Sequence, residues 1–347
     1  MTIPFFKLPA LVIQLLLDIM GFVDIFVLTN ASLRMNRVVR KLLKIRKCDM
    51  QLYMSEKAIF FTFLQCPEIF YTEHIFWTLA EGRPKKEIFY LKFGNMDHVP
   101  SEFSRGPDGS FQLRLHWNTN TYYGGEIYNT LNELFGAPRW TFEMNLDGVS
   151  AETHRNWVNW FNDTLSTPFA MKITGKCSFL DYMWLLENVK LKNTLICRVE
   201  ATDYSDNFGA LNVDFTFKAE ERILITDLRW IKLQHLQSIE ARKITIFRVS
   251  FTDSEINTFL RDWKDLKRAS NMRKLFIFFE REANPEVVLE EMNATDENGM
   301  KPDNALNQWS FKMVNGEKCT VIYAEYEGNN VFGFEFQVKN SAPPQPL

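Results

Sequence analysis

Signatures of catalysis and cofactor binding are what this sequence lacks most plainly. Its five histidines, His74, His98, His116, His154 and His235, fall in no HExxH motif and at no paired metal-ligand spacing. There is no GxGxxG and no GxxxxGK followed by Ser or Thr, so no phosphate-cradling loop is legible. The five cysteines, Cys48, Cys66, Cys177, Cys197 and Cys319, are odd in number and widely spaced, without a CxxC. That spacing indicates neither a zinc ribbon nor a redox pair and reads as free thiols in a reducing compartment, cytoplasmic or nuclear. No cofactor and no metal are expected. A Cys/His nucleophile pair meets only in space, so an enzyme whose site assembles from distant residues stays open.

Export and membrane signals are equally thin. Lys7 is the only early charge, and Asp18 interrupts the apolar run where a signal peptide would need its core. Within the N-terminal segment the longest uncharged stretch is the ten residues Leu8–Leu17. A spanning helix needs about 20, and the expectation is a chain neither exported nor inserted. The Asn-x-Ser/Thr triplets at Asn30, Asn162 and Asn293 then read as chance. With 40 Lys and Arg against 43 Asp and Glu, the formal charge of −3 gives no reason to expect nucleic acid as a partner. Arg34–Lys47 holds seven basic residues and no acid, but Val38, Val39, Leu42 and Leu43 interleave with them. That pattern suits an amphipathic helix better than a membrane-surface or nucleic-acid patch.

What is present is apolar surface. Leu8–Leu28 carries only Asp18 and Asp24 as charges. Leu8, Leu11, Val12, Leu15, Leu16, Ile19 and Met20 mark one helical face, and Ile13 and Leu17 make the opposite face apolar too. A helix apolar nearly all round is buried on two sides, and about forty residues cannot supply both. The reading is a small helical module that buries one face against itself and offers the other to a partner protein. Pro9 suits a helix start, and Asp24 is expected to cap a second helix.

These residues resemble an F-box over residues 3–46. The carriers are Leu8-Pro9, the apolar run through Leu16, the break Ile19–Val23, Asp24-Ile25, and Ser32 followed by Arg34 and Arg37. Ala10 and Leu11 replace acids common after Leu-Pro, and Met35 stands where an aromatic is frequent.

Further on, Ile59–Phe63, Ile88–Phe93 and Phe111–Trp117 alternate like half-buried strands, and the turn formers Ser104–Ser110 suggest a hairpin joining the last two. From Arg139 strand-like and helix-like segments recur. The strands are Thr141–Leu146, Ala170–Gly175, Arg222–Thr226, Lys243–Val249 and Arg273–Phe279, with an irregular one near Leu195–Val199. Ser178 and Asp253 are N-cap types, Pro285 suits a first helical position, and Thr252 with Glu255 fits a capping box. Gln308–Asn315, Cys319–Glu327 and Val331–Lys339 read as antiparallel strands.

The expected fold is α+β or α/β: a three-helix F-box (3–46), a β-rich segment (47–138), an α/β repeat-like region (139–298), C-terminal antiparallel strands (299–340) and a disordered tail (341–347). The repeat-like region is expected to be an open solenoid like a degenerate leucine-rich-repeat horseshoe; a compact α/β domain is the alternative. Residues 242–279, with Ile256, Phe259, Leu260 and Trp263 on the helix between two apolar strands, are similar to the F-box-associated domain, type 2, of nematode F-box families. Trp230–Leu236 fits the same pattern.

The resemblance implies a non-catalytic, substrate-recognition subunit of an SCF-type ubiquitin ligase. The F-box would bind a Skp-type adaptor and through it a cullin, and the C-terminal region would bind an unknown protein target. Adaptor binding is expected of Leu8, Pro9, Val12, Ile13, Leu16, Met20, Ile25 and Leu28. Period-2 alternation puts Phe247, Phe276 and Phe278 on the sheet face opposite the core, where they would bind the target unless the strands after Asn298 fold over them. A repeat-type interaction protein with no ligase role is the other reading.

Overall fold

The computed structural model describes residues 5–43, 49–56, 58–64, 73–78, 88–93, 96–105, 111–116, 124–136, 139–164, 169–190, 192–203, 218–229, 231–266, 271–297, 305–326 and 331–338. They divide into two compact units: Met1–Thr153 with Asn159–Pro168, and His154–Val158 with Phe169–Leu347. Cys48, Cys66, Trp230, the basic residues Lys44–Lys47, the Gly-Asn-Asn segment 328–330 and the tail 341–347 lie outside the described residues.

The first unit opens with a short 3-10 turn, Phe5–Lys7, and three helices, α1 (Ala10–Ile19), α2 (Phe22–Asn30) and α3 (Leu33–Leu42). Pro9 stands at the N-cap of α1, and the Ser32 hydroxyl caps α3 by accepting the Met35 N–H at 3.1 Å. Asp24 does not cap α2. Gly21 occupies that position and Asp24 lies in the first turn, where its charge still complements the helix dipole.

The α2 helix buries Phe22, Val23, Ile25 and Phe26. Phe22 stacks on Phe63 and meets Phe135 edge-on, each at 5.0 Å. The helical segment therefore does not bury its inner face only against itself. It shares a core with the strand and helix that carry those two rings, because large aromatics on α2 need more cover than two short neighbours provide.

The rest of this unit is β1 (Asp49–Met54), β2 (Ala58–Leu64), which carries Phe63, β3 (Glu73–Thr78), β4 (Phe89–Phe93), β5 (Met96–Arg105), β6 (Phe111–His116), α4 (Gly124–Phe135), which carries Phe135, β7 (Arg139–Asn145) and the two ends of α5 (Ala151–Thr164). The strand order is β7-β1-β2-β3-β6-β5-β4. On β1, Met50, Leu52 and Met54 are buried while Gln51 and Tyr53 are half-buried, the period of two that a one-sided sheet requires. The hairpin expected between residues 88–93 and 111–117 does not form. β5 intervenes, antiparallel to both β4 and β6.

In the second unit follow β8 (Ala170–Cys177), α6 (Phe179–Asn188), β9 (Thr194–Ala201), β10 (Arg222–Ile225), α7 (Leu233–Ser238), β11 (Lys243–Ile246), α8 (Asp253–Lys264) and β12 (Lys274–Phe279). Then come α9 (Pro285–Val288), β13 (Thr295–Asp296), β14 (Ala305–Lys312), β15 (Lys318–Tyr326) and β16 (Val331–Val338). Strands β8 to β12 are parallel and lie side by side in chain order.

Their registers align Met171, Leu195, Ile223, Ile244 and Leu275 in one row and Ile173, Cys197, Ile225, Ile246 and Ile277 in the next, all essentially without solvent exposure. The Tyr182 hydroxyl of α6 donates to the Asp227 carbonyl at 3.0 Å, tying α6 to the loop after β10. Ser178 caps α6, accepting from Asp181 N–H. At α8 Thr252, reciprocally with Glu255, is the cap, and Asp253 is the first helical residue rather than the cap, because Thr252 keeps the extended backbone a cap requires. The antiparallel strands β16, β15, β14 and β13 continue the sheet beside β12 rather than covering its face.

Candidate functional site

Two surfaces, one in each unit, carry side chains that the fold itself does not use. On α1 the inward residues are Ile13, 5% exposed, and Leu17, fully buried. Leu11, Leu15 and Ile19, spaced i, i+4, i+8, are 67%, 56% and 81% exposed, with Val12 beside them on the same side of the helix. Of the residues expected to bind an adaptor, Val12 and Pro9 are exposed, and Leu8, Leu16, Met20 and Leu28 are half-buried. Ile13 and Ile25 are not available: both side chains are buried in the core of this unit, Ile25 completely. Leu11, Leu15 and Ile19 lie on the apolar face read from the sequence but were not among the residues expected to bind an adaptor, and they are the most exposed large apolar side chains of α1.

The second surface is the sheet face carrying residues 243, 245 and 247 of the β11 segment and 274, 276 and 278 of β12. Phe247 and Phe278 stack at 4.2 Å, and Phe276 and Phe278 lie nearly parallel at 6.5 Å. Phe278 is buried because its ring lies on Gly333 of β16: a Cβ there would stand 2.8 Å from Phe278 Cδ1. Phe247 and Phe276 stay half-buried. The three phenylalanines thus meet as the alternation implies, but Phe278 serves as packing and the other two keep open surface. Lys243 Nζ stands 5.1 Å and Lys274 Nζ 6.0 Å from the Phe276 ring centroid, on the rim of this cluster.

Among the described residues, Cys197, Cys319 and His154 are buried and Cys177 is half-buried. Burial pushes the thiols of Cys177, Cys197 and Cys319 up to about 12, so none is a thiolate near neutral pH. His154 is buried, its pKa lowered by desolvation, with Nε2 3.7 Å from Asp181 Oδ1. Burial alone would raise the Asp181 carboxyl, but hydrogen bonds from Ser178 (2.7 Å) and Arg155 (2.8 Å) outweigh it and hold it below the usual carboxylate range. The Ser178 hydroxyl thus serves that carboxylate and the α6 cap rather than the imidazole. Among the described residues no group of three or more His, Cys, Asp or Glu could hold a metal ion. Among them, too, no helix is long and apolar enough to cross a membrane.

Residues 207–277 match the family model described as F-box associated. The match takes in β10, α7, β11, α8 and β12 as far as Ile277, and so includes Lys243, Phe247, Lys274 and Phe276. Neither a curated protein nor a solved structure matches the chain.

Proposed function

We propose that this chain is the substrate-recognition subunit of an SCF-type ubiquitin ligase, with its first unit docked on a Skp-type adaptor and its second unit holding a protein target. The observation that carries the reading is the outward stripe Leu11, Val12, Leu15 and Ile19 on a helix whose other side is already buried. It falls within the segment that resembles an F-box, in a chain whose residues 207–277 match an F-box-associated model. Such a stripe costs free energy in water, and each large apolar side chain fully buried by a partner contributes about 1.5–3 kcal/mol. Leu8, Pro9, Leu16, Met20 and Leu28 flank it; Ile13 and Ile25 act by holding α1 and α2 in place.

The role is non-catalytic: a ligase subunit of this kind raises the effective concentration of a target lysine at a thioester carried by another protein. The strands β8 to β12, each beside its predecessor, support a leucine-rich-repeat-like solenoid over the compact alternative. The free thiols at Cys177, Cys197 and Cys319 agree with a cytoplasmic or nuclear setting. A second reading, an interaction protein with no ligase role, draws on the Phe22–Phe63–Phe135 cluster, which gives the N-terminal helices a structural task of their own. Affinity purification of the tagged full chain separates the two. The ligase reading expects a Skp-type adaptor and a cullin in the eluate, and recovery of target proteins with neither would favour the second.

A further inference from the structure

Along one edge of the second unit's sheet, Arg222, Lys243 and Lys274 stand in direct register on β10, β11 and β12. Like charges directly opposite one another on adjacent strands destabilise a sheet. A row of three, with strands about 4.8 Å apart, therefore asks for a compensating anion. The protein supplies only part of it.

Beside the row opens a cleft of about 580 Å³ lined by Glu221, Arg242, Lys243, Arg273, Lys274, Gln337 and Val338. Arg242 pairs with Glu221 at 3.5 Å, Arg273 with Glu317 at 2.6 Å, and Lys274 loosely with Glu335 at 3.7 Å. Among the described residues Lys243 and Arg222 are held in no salt bridge, and the Arg222 Nε–H is buried without a hydrogen-bond partner. Desolvation, then the charges of Arg222 and Lys274, push the Lys243 ammonium below the usual lysine pKa, outweighing the opposing charges of Glu335 and Glu221. This local excess of positive charge sits on a chain whose formal net charge is −3.

We infer that this cleft and the adjoining Phe276 and Phe247 rings receive an acidic stretch of the target protein, its carboxylates along the Arg222–Lys243–Lys274 row and an apolar side chain on the aromatic cluster. The charge is spread over roughly 10 Å across three strands. That suits several carboxylates in a run better than one phosphate, and the two arginine forks that would grip a phosphate best are already engaged by Glu221 and Glu317. The inference rests on the target-binding role proposed for the second unit, and it can fail separately.

Fluorescence anisotropy with the full chain tests it, using a labelled peptide of six glutamates followed by Leu and Trp and its all-glutamine counterpart. The glutamate peptide should bind at least tenfold tighter, with an affinity that falls as salt rises. Lys243→Glu with Lys274→Glu should remove that preference, and Lys243→Gln with Lys274→Gln should reduce it with less demand on folding. Lys176→Glu with Lys312→Glu, the same change of net charge at exposed sites elsewhere in the unit, should leave it within twofold. Equal loss in that control pair, equal binding of the two peptides, or a preference for a singly phosphorylated neutral peptide would overturn the inference. Capture of a Skp-type adaptor by the same variants keeps the two claims apart. Adaptor capture absent from the wild type, with the peptide preference intact, would count against the ligase role alone.

Discussion

At the scale of single residues, Gly333 decides whether the aromatic face holds its shape. Phe278 can lie flat across β16 only because position 333 carries no side chain: an added Cβ would also stand 3.1 Å from the Ile277 carbonyl. Gly333→Val should therefore displace Phe278, unstack it from Phe247 and cost about 1–3 kcal/mol, the usual penalty for overpacking. A lowered urea midpoint with an unchanged slope would show this.

The cysteines offer a second residue-level test through pH. Their pKa values rise from 9.0 in the unfolded chain to about 12 when folded. Between those limits the unfolded state holds fewer protons, so the thiols' contribution to stability should be fully present below pH 9 and be lost as pH climbs toward 12. Thermal melts across that window, repeated with Cys177→Ser, should show a shallower decline in the variant; an identical slope would contradict the burial argument. Thr252 and Glu255 were legible as a cap because a capping box is a local device written in four consecutive residues. Phe278 was not: the pairing of β12 with β16 that sets its seat joins residues some fifty positions apart in the chain.

At the scale of elements, α1 and α2 divide their labour between surface and core. Leu11→Asp or Leu15→Asp should leave the circular dichroism spectrum and melting temperature nearly unchanged, because these side chains touch little of their own chain. Phe22→Ala removes a ring from between Phe63 and Phe135 and should cost about 3–5 kcal/mol. Comparison of the two melts checks both statements. The parallel strands of the second unit were readable because apolar residues alternate within segments of the right length, and α6, α8 and α9 begin with their own signals, whereas α7, which follows Lys232, does not. β5 was not, since Pro100 offers no ladder N–H and its apolar residues are sparse. α4 was obscured because it opens on Gly124-Gly125, residues that ordinarily punctuate a chain between elements. α2 begins at Phe22 rather than after Asp24, because burial of Phe22 and Val23 outweighs the choice of cap.

At the scale of the whole molecule, the two surfaces lie in different compact units and should act independently. A variant that destroys one should spare the other: charge reversal at Lys243 and Lys274 should leave adaptor capture intact, and an aspartate on α1 should leave target capture intact. Simultaneous loss from either change in a folded protein would contradict that division of roles. The claim most directly exposed to measurement is that the α1 stripe is an adaptor-binding surface. Co-expression of the full chain with a Skp-type adaptor, followed by size-exclusion chromatography, should give a single complex containing both proteins. Leu15→Asp, verified as folded by circular dichroism, should elute free of adaptor, since it would place an unpaired charge in the interface. A wild-type chain that elutes alone, or a folded Leu15→Asp that still co-elutes with the adaptor, would contradict the account.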